Sequence, residues 1–210
     1  MARSVKRSER ANPYGIHPSV AMVQKWIADL PSKTGRSLDE WLELIRTKGP
    51  ATEAERRDWL KAKHGLGTNS ASWLAERADG RGENDDPEEY LASALVYVDE
   101  MFAGRTAGLL PLYEELLALG LSMGDDVKAC PCKTIVPFYR KHVFAQIKPT
   151  TITRIDFGLA LKDTPAAGRL IDTGGFAKKD RITHRFTIVS AADIDDEVKV
   201  WLRKAYEMDV

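Results

Sequence analysis

Apolar residues along the first part of the chain recur at intervals of three and four, the spacing of one helix face. Val20, Val23, Ile27 and Leu30 predict a helix from Ser19, with Pro31 as its stop. Ser37-Leu38-Asp39-Glu40 reads as a capping box, in which serine and glutamate each satisfy an otherwise orphan amide. Leu38, Trp41, Leu42 and Ile45 follow as the apolar stripe, and Gly49-Pro50 closes that helix. Thr52 to Glu55 repeats the box for a third helix through Trp59, Leu60 and Ala62 to Gly65, and Thr68 is positioned to cap a fourth carrying Ala71, Leu74 and Ala78. Residues 79–90, DGRGENDDPEEY, carry neither a helical nor a strand period. Two further helices are predicted, Pro87 to Met101 and Arg105 to Leu119.

The period changes after Cys130. TIVPFYR, HVFAQIKP, RIDFGLALK and HRFTIVS are rich in β-branched and aromatic residues and separated by short polar breaks. In the third, Ile155, Phe157, Leu159 and Leu161 alternate with Arg154, Asp156, Gly158, Ala160 and Lys162, as an antiparallel strand with one buried face requires. A closing helix, Ile194 to Tyr206, presents Val198, Trp201, Leu202 and Ala205. The expected fold class is therefore α+β: a small N-terminal helical bundle, then an α+β domain with an antiparallel sheet of four or more strands packed by helices. The expected boundaries are a flexible arm at 1–18, a helical module at 19–78, a linker at 79–90 and the α+β domain at 91–210. Trp26, Trp41, Trp59 and Trp73 fall on apolar helical faces and are expected in the core.

Composition narrows the class. Of 210 residues, 43% are hydrophobic and 30% charged, which suits a chain that buries a core. No apolar run approaches the roughly 18 residues of a membrane span, and no apolar segment follows the basic start as a secretory signal needs. Two cysteines exclude a disulfide scaffold and imply a reducing, cytoplasmic setting. The formal net charge is zero, yet its distribution is uneven. Residues 1–10 carry +3; residues 79–126 hold twelve acidic side chains against Arg81 and Arg105; residues 130–185 hold eleven Lys or Arg against four Asp, a net +7. This marks either a basic surface for an anionic partner or basic and acidic segments that pack against each other.

The segment KTGRSLDEWLELIRTKGPATEAERRDWLKAKHGLGTNSASWLAERA resembles a short helical bacterial family of unassigned function. YVDEMFAGRTAGLLPLYEELLALG, with the strand region and the closing helix, resembles a second uncharacterised family often fused behind the first. That resemblance implies a two-domain protein and carries no catalytic or binding residues. More distantly, helices followed by an antiparallel meander and a closing helix resemble small frataxin-like proteins, a likeness of fold alone.

Few residues carry chemistry. Cys130-Pro131-Cys132 could bind a soft metal with His142, or could be two ordinary cysteines at a strand entrance; the spacing is not that of structural zinc. Asp156 and Lys162 have the types found in metal-dependent nucleases but lack convergent carboxylates. Asp172 to Asp180 combines two glycines with two lysines, as an anion-binding loop or as a turn between strands. His64-Gly65-Leu66-Gly67 reads as a helix C-terminus. The remaining signal is the basic strand region, Arg140, Lys148, Arg154, Lys162, Lys178, Lys179 and Arg185, with Arg154 and Lys162 on one strand face and Tyr139 or Phe144 available for stacking. The expectation is a binding or adaptor protein, with no cofactor, whose basic sheet meets an anionic partner such as nucleic acid and no membrane; the rival is a metal carrier or enzyme built on Cys130, Cys132 and His142.

Overall fold

In the computed structural model, residues 12–81 and 85–210 are described. The chain divides into two compact units, one spanning His17–Tyr90 and the other combining Leu91–Val210 with the segment that ends at Ile16.

The first unit holds α1 (Pro18–Thr34), α2 (Leu38–Lys48), α3 (Glu53–His64) and α4 (Thr68–Ala78). Helix α1 starts on proline because the first helical position has no use for an N–H, and the Ser19 N–H donates to His17 Nδ1. It also runs one turn past Pro31 and ends where Gly35, at φ 75°, donates its N–H to the Pro31 carbonyl. Near a helix end the proline breaks little of the ladder, so Pro31 does not stop α1 as the sequence suggests. Both capping boxes form: the Glu40 N–H donates to Ser37 Oγ and the Ser37 N–H to Glu40 Oε2, with Thr52 and Glu55 repeating the exchange. Thr68, by contrast, is the first residue of α4 rather than its cap; Gly67 occupies that place without a side-chain bond. Leu30, Trp41, Ile45, Leu60, Ala71 and Leu74 form the core, with Trp26, Trp59 and Trp73 half-buried against it.

Helix α5 (Pro87–Met101) crosses the division between the units and is capped by Asp86, which accepts from the Glu88 and Glu89 N–H groups. The helix expected over Arg105 to Leu119 is instead a 3-10 turn, Gly104–Leu109, followed by α6 (Leu110–Leu121). Pro111 explains the break: it lacks an N–H and its ring excludes a preceding α-turn, so α6 starts afresh one residue before it.

The six-stranded antiparallel sheet comprises β1 (Lys128–Ala129), β2 (Val136–Tyr139), β3 (Val143–Thr151), β4 (Arg154–Leu159), β5 (Ile171–Asp172) and β6 (His184–Ile188), in spatial order β1-β2-β3-β4-β6-β5. The two edge strands are only two residues long, too short to show a period. Ile147, Phe157 and Phe186 lie opposite one another in register, as do Ala145, Leu159 and His184, and all are buried. A bulge at Phe144 lets it and Ala145 both be buried, whereas strict alternation would expose one of them. Helix α6 meets this face so closely at Gly120 that a Cβ there would overlap the Phe138 ring. The closing helix α7 (Asp196–Glu207) packs on β3 and β4, and its Arg203 donates to the Met123 carbonyl just beyond α6.

The arm predicted for residues 1–18 is corrected where it is described; residues 1–11 lie outside the described residues. Tyr14 is buried, with its hydroxyl 2.8 Å from that of Tyr113, and the Gly15 N–H donates to the Ala129 carbonyl. This short stretch extends the β1 edge and satisfies a strand carbonyl that would otherwise stand open. Among the described residues no helix is long and apolar enough to cross a membrane.

Candidate functional site

Opposed residues of an antiparallel pair share a face, so the register also defines the polar side of the sheet. Ile171, Arg185, Gly158 and Gln146 form one row across β5, β6, β4 and β3; Thr187, Asp156 and Lys148 form the next. Arg154, two residues before Asp156, adds a third cation to that face. The loop from Thr173 to Ile182 rises beside these rows and leaves a shallow groove of about 440 Å³ lined by Lys148, Asp156, Gly158, Arg181 and Arg185, among others.

The charges in this groove are arranged rather than scattered. Asp156 Oδ1 accepts from Arg185 Nη1 at 3.1 Å and lies 3.1 Å from Arg154 Nε, while Arg185 Nη1 also reaches Thr187 Oγ1 at 2.7 Å. One carboxylate therefore holds two guanidinium groups in place. The Arg154 Nε–H is buried at an angle that makes no hydrogen bond among the described residues. Lys148 is exposed opposite Asp156 and has no ion pair among the described residues. Gly158 forms the floor: a Cβ there would lie 2.7 Å from Ile182 Cγ2 and 3.0 Å from Gln146 Cγ, so the loop can close over the strand only at a glycine.

Residues 98–209, more than half of the chain, match the family model described as Domain of unknown function (DUF5655). The chain belongs to that family. Residues 22–80 match a second model, Domain of unknown function (DUF4287), so two domains of unknown function stand in tandem. No curated protein and no solved structure matches the chain. The sheet, its groove and the closing helix all lie within the DUF5655 region.

Of the basic residues singled out from sequence, the DUF5655 region brings Lys148 and Arg185 together in the groove lining, sets Arg154 beside them on Asp156, and places the others elsewhere. Lys162 follows the end of β4 in a turn at φ 55°, so it does not share a strand face with Arg154. Arg140 is used internally: its Nε donates to Asp126 at 2.8 Å and its guanidinium stacks over the Tyr206 ring. This pair joins a residue of the basic segment to one of the acidic segment. Lys178 and Lys179 are exposed on the groove-side loop but do not line the groove. Phe144 is fully buried and Tyr139 half-buried, so Phe144 offers no stacking surface. Gln146 follows the same alternation as Lys148, so its place was legible; Arg181 and Ile182 lie in a loop, where no period points to them.

The cysteines of the DUF5655 region do not converge with His142. Cys130 is buried, and desolvation pushes its thiol up to about 12, with the Cys132 thiol beside it adding to the rise. The His142 ring is held by Asp209, at 3.0 Å from Nδ1 to Oδ1. Among the described residues no group of three or more His, Cys, Asp and Glu is placed to hold a metal ion.

Asp209 is itself a hub. It is 2% exposed and accepts from the Lys141 and His142 backbone N–H groups, the His142 ring and the Arg181 guanidinium. Burial raises the cost of its charge, but these donors outweigh that cost and hold the carboxyl below its usual range. Arg181 also donates to the Val143 carbonyl, so this network fixes the groove-side loop to the sheet.

The DUF4287 region has a groove of its own, about 470 Å³, lined by Arg46, Arg56 and Arg77. Each of these arginines already has a carboxylate, Glu43, Asp79 and Asp85 respectively, and Arg56 also donates to the Pro50 and Ala51 carbonyls. His64 ends α3, with Gly65 in the left-handed cap at φ 66°. Its ring is wedged edge-on against Trp41 and Trp59, and burial, helped by the charges of Arg36 and Lys63, depresses its pKa. These features account for His64 as a packed helix end.

Proposed function

We propose that this chain is a binding or adaptor protein whose sheet groove holds an anionic partner through phosphate groups, as nucleic acid would supply. The observation that carries the reading is the convergence of Lys148, Arg154 and Arg185 from three adjacent strands around Asp156, with Asp180 as the other carboxylate of the groove lining. Two guanidinium groups fixed by one carboxylate keep a net positive charge and lose little freedom when an anion arrives. Lys148 adds a charge that has no ion pair among the described residues to give up. The helical groove lacks this property, since all three of its arginines are neutralised by carboxylates.

Free thiols at Cys130 and Cys132, one residue apart, support a reducing setting such as the cytoplasm. Titration with linear polyphosphate tests the groove. Wild type should bind at low ionic strength and lose affinity steeply as salt rises. Lys148→Ala should bind several-fold more weakly, whereas Lys63→Ala, in the helical unit, should match wild type. Equal binding by Lys148→Ala and wild type, or no binding at any salt concentration, would sink the proposal.

A further inference from the structure

We infer that the occupant of the groove is a single-stranded nucleic acid, with Phe176 as the platform on which one base stacks; the inference rests on the anion-binding reading above. Phe176 is 53% exposed on the loop whose other residues, Thr173, Asp180, Arg181 and Ile182, wall the groove. The loop is not loose. The Thr173 N–H donates to the Thr183 carbonyl at 3.0 Å, the Asp180 N–H to the Gly175 carbonyl at 2.9 Å and the Lys179 N–H to the Phe176 carbonyl at 3.0 Å. Lys179 completes the turn at φ 62°.

Among the described residues Phe176 is the one phenylalanine, tyrosine or tryptophan ring left exposed. Beyond Ala177 come Lys178 and Lys179, both exposed, and then Asp180 and Arg181 on the groove wall. An exposed ring and exposed cations on one loop beside a basic groove match the chemistry of single-strand binding, in which cations track phosphates and a ring takes a base face. The shallow, open groove across β3, β4 and β6 suits a chain rather than an enclosed small molecule. A duplex is a poorer fit, because its base faces are already stacked and no helix among the described residues offers a row of Arg, Asn and Gln for a major groove. An acidic peptide would satisfy the lysines but gives Phe176 no ring to stack on.

The test uses the full chain and fluorescence anisotropy at low salt with a labelled oligothymidylate of about twelve nucleotides, within the span such surfaces cover. Unlabelled competitors are an abasic strand of the same length, a duplex, linear polyphosphate and polyglutamate. Oligothymidylate should displace the label best. Phe176→Ala should weaken it about ten-fold while leaving the abasic strand unchanged, and Phe176→Trp should restore tight binding. If the abasic strand or polyphosphate competes as well as oligothymidylate and Phe176→Ala changes nothing, the base-stacking inference falls while the groove stands. Preference for duplex or polyglutamate overturns it equally. If no polyanion binds, or Lys148→Ala binds as wild type does, the groove reading itself has failed.

Discussion

Asp209 shows how much a single side chain can organise. Four donors from the β2–β3 turn and the groove-side loop meet on one carboxylate that is almost fully buried. Its folded pKa lies below the ordinary value, so the folded state binds this proton less readily than the unfolded chain does. The stabilisation is therefore complete above the ordinary carboxylate pKa, roughly 4, and is lost as pH falls through the lower folded value. Asp209→Asn should cost about 2–3 kcal/mol at neutral pH, since the Arg181 guanidinium and three further donors lose a buried, charged acceptor. Chemical denaturation followed by circular dichroism should show this gap narrowing below roughly pH 4. A gap that stays constant across that range would show that the charge of Asp209 contributes nothing. This role is not legible in sequence, because a hub made by contacts 28 to 68 residues apart leaves no local pattern.

Among the elements, local chemistry was legible wherever it decided the outcome. Ser37 with Glu40 and Thr52 with Glu55 form the boxes their spacing announces, and α2 and α3 start where they should. Thr68 has the right residue type, yet α4 begins on it, because Gly67 already has the extended backbone of a cap. Ser37→Ala should thus cost about 1 kcal/mol, and Thr68→Ala should change stability by less than about 0.5 kcal/mol. Urea unfolding of the two variants measures both; a loss at Thr68 equal to that at Ser37 would contradict the assigned caps. In the sheet, the alternation of Ile155, Phe157 and Leu159 fixed the face of β4, but Leu161 and Lys162 continue the pattern beyond the strand end. Hydrophobic period reports which side is buried and not where pairing stops. For the same reason the groove was half legible: Lys148, Arg154 and Arg185 follow from strand alternation, while the Thr173–Ile182 wall comes from a loop.

At the scale of the whole chain, the helical unit lies in sequence between two parts of the sheet-bearing unit. Low-complexity linkers are visible in sequence; a short segment that returns to a strand edge is not, because Asn12, Pro13 and Gly15 look like any turn-rich stretch. Tyr14→Ala removes a buried hydroxyl pair and loosens that edge. Hydrogen exchange should accordingly quicken at Ala129 and Cys130 while the β4 and β6 amides keep their protection. Unchanged exchange at Ala129 would mean that the segment adds nothing to the edge. The family match begins at residue 98, well after Tyr14 and Gly15. A fragment cut at that boundary would carry the Tyr113 hydroxyl and the Ala129 carbonyl without their native partners. During synthesis residues 12–16 emerge long before the strand they complete: Tyr14 precedes Tyr113 by 99 residues. The edge is consequently a late event, closed by an early segment only after the intervening chain has been made. The span of sequence that the family model matches and the compact unit that holds the sheet are two different lengths of chain.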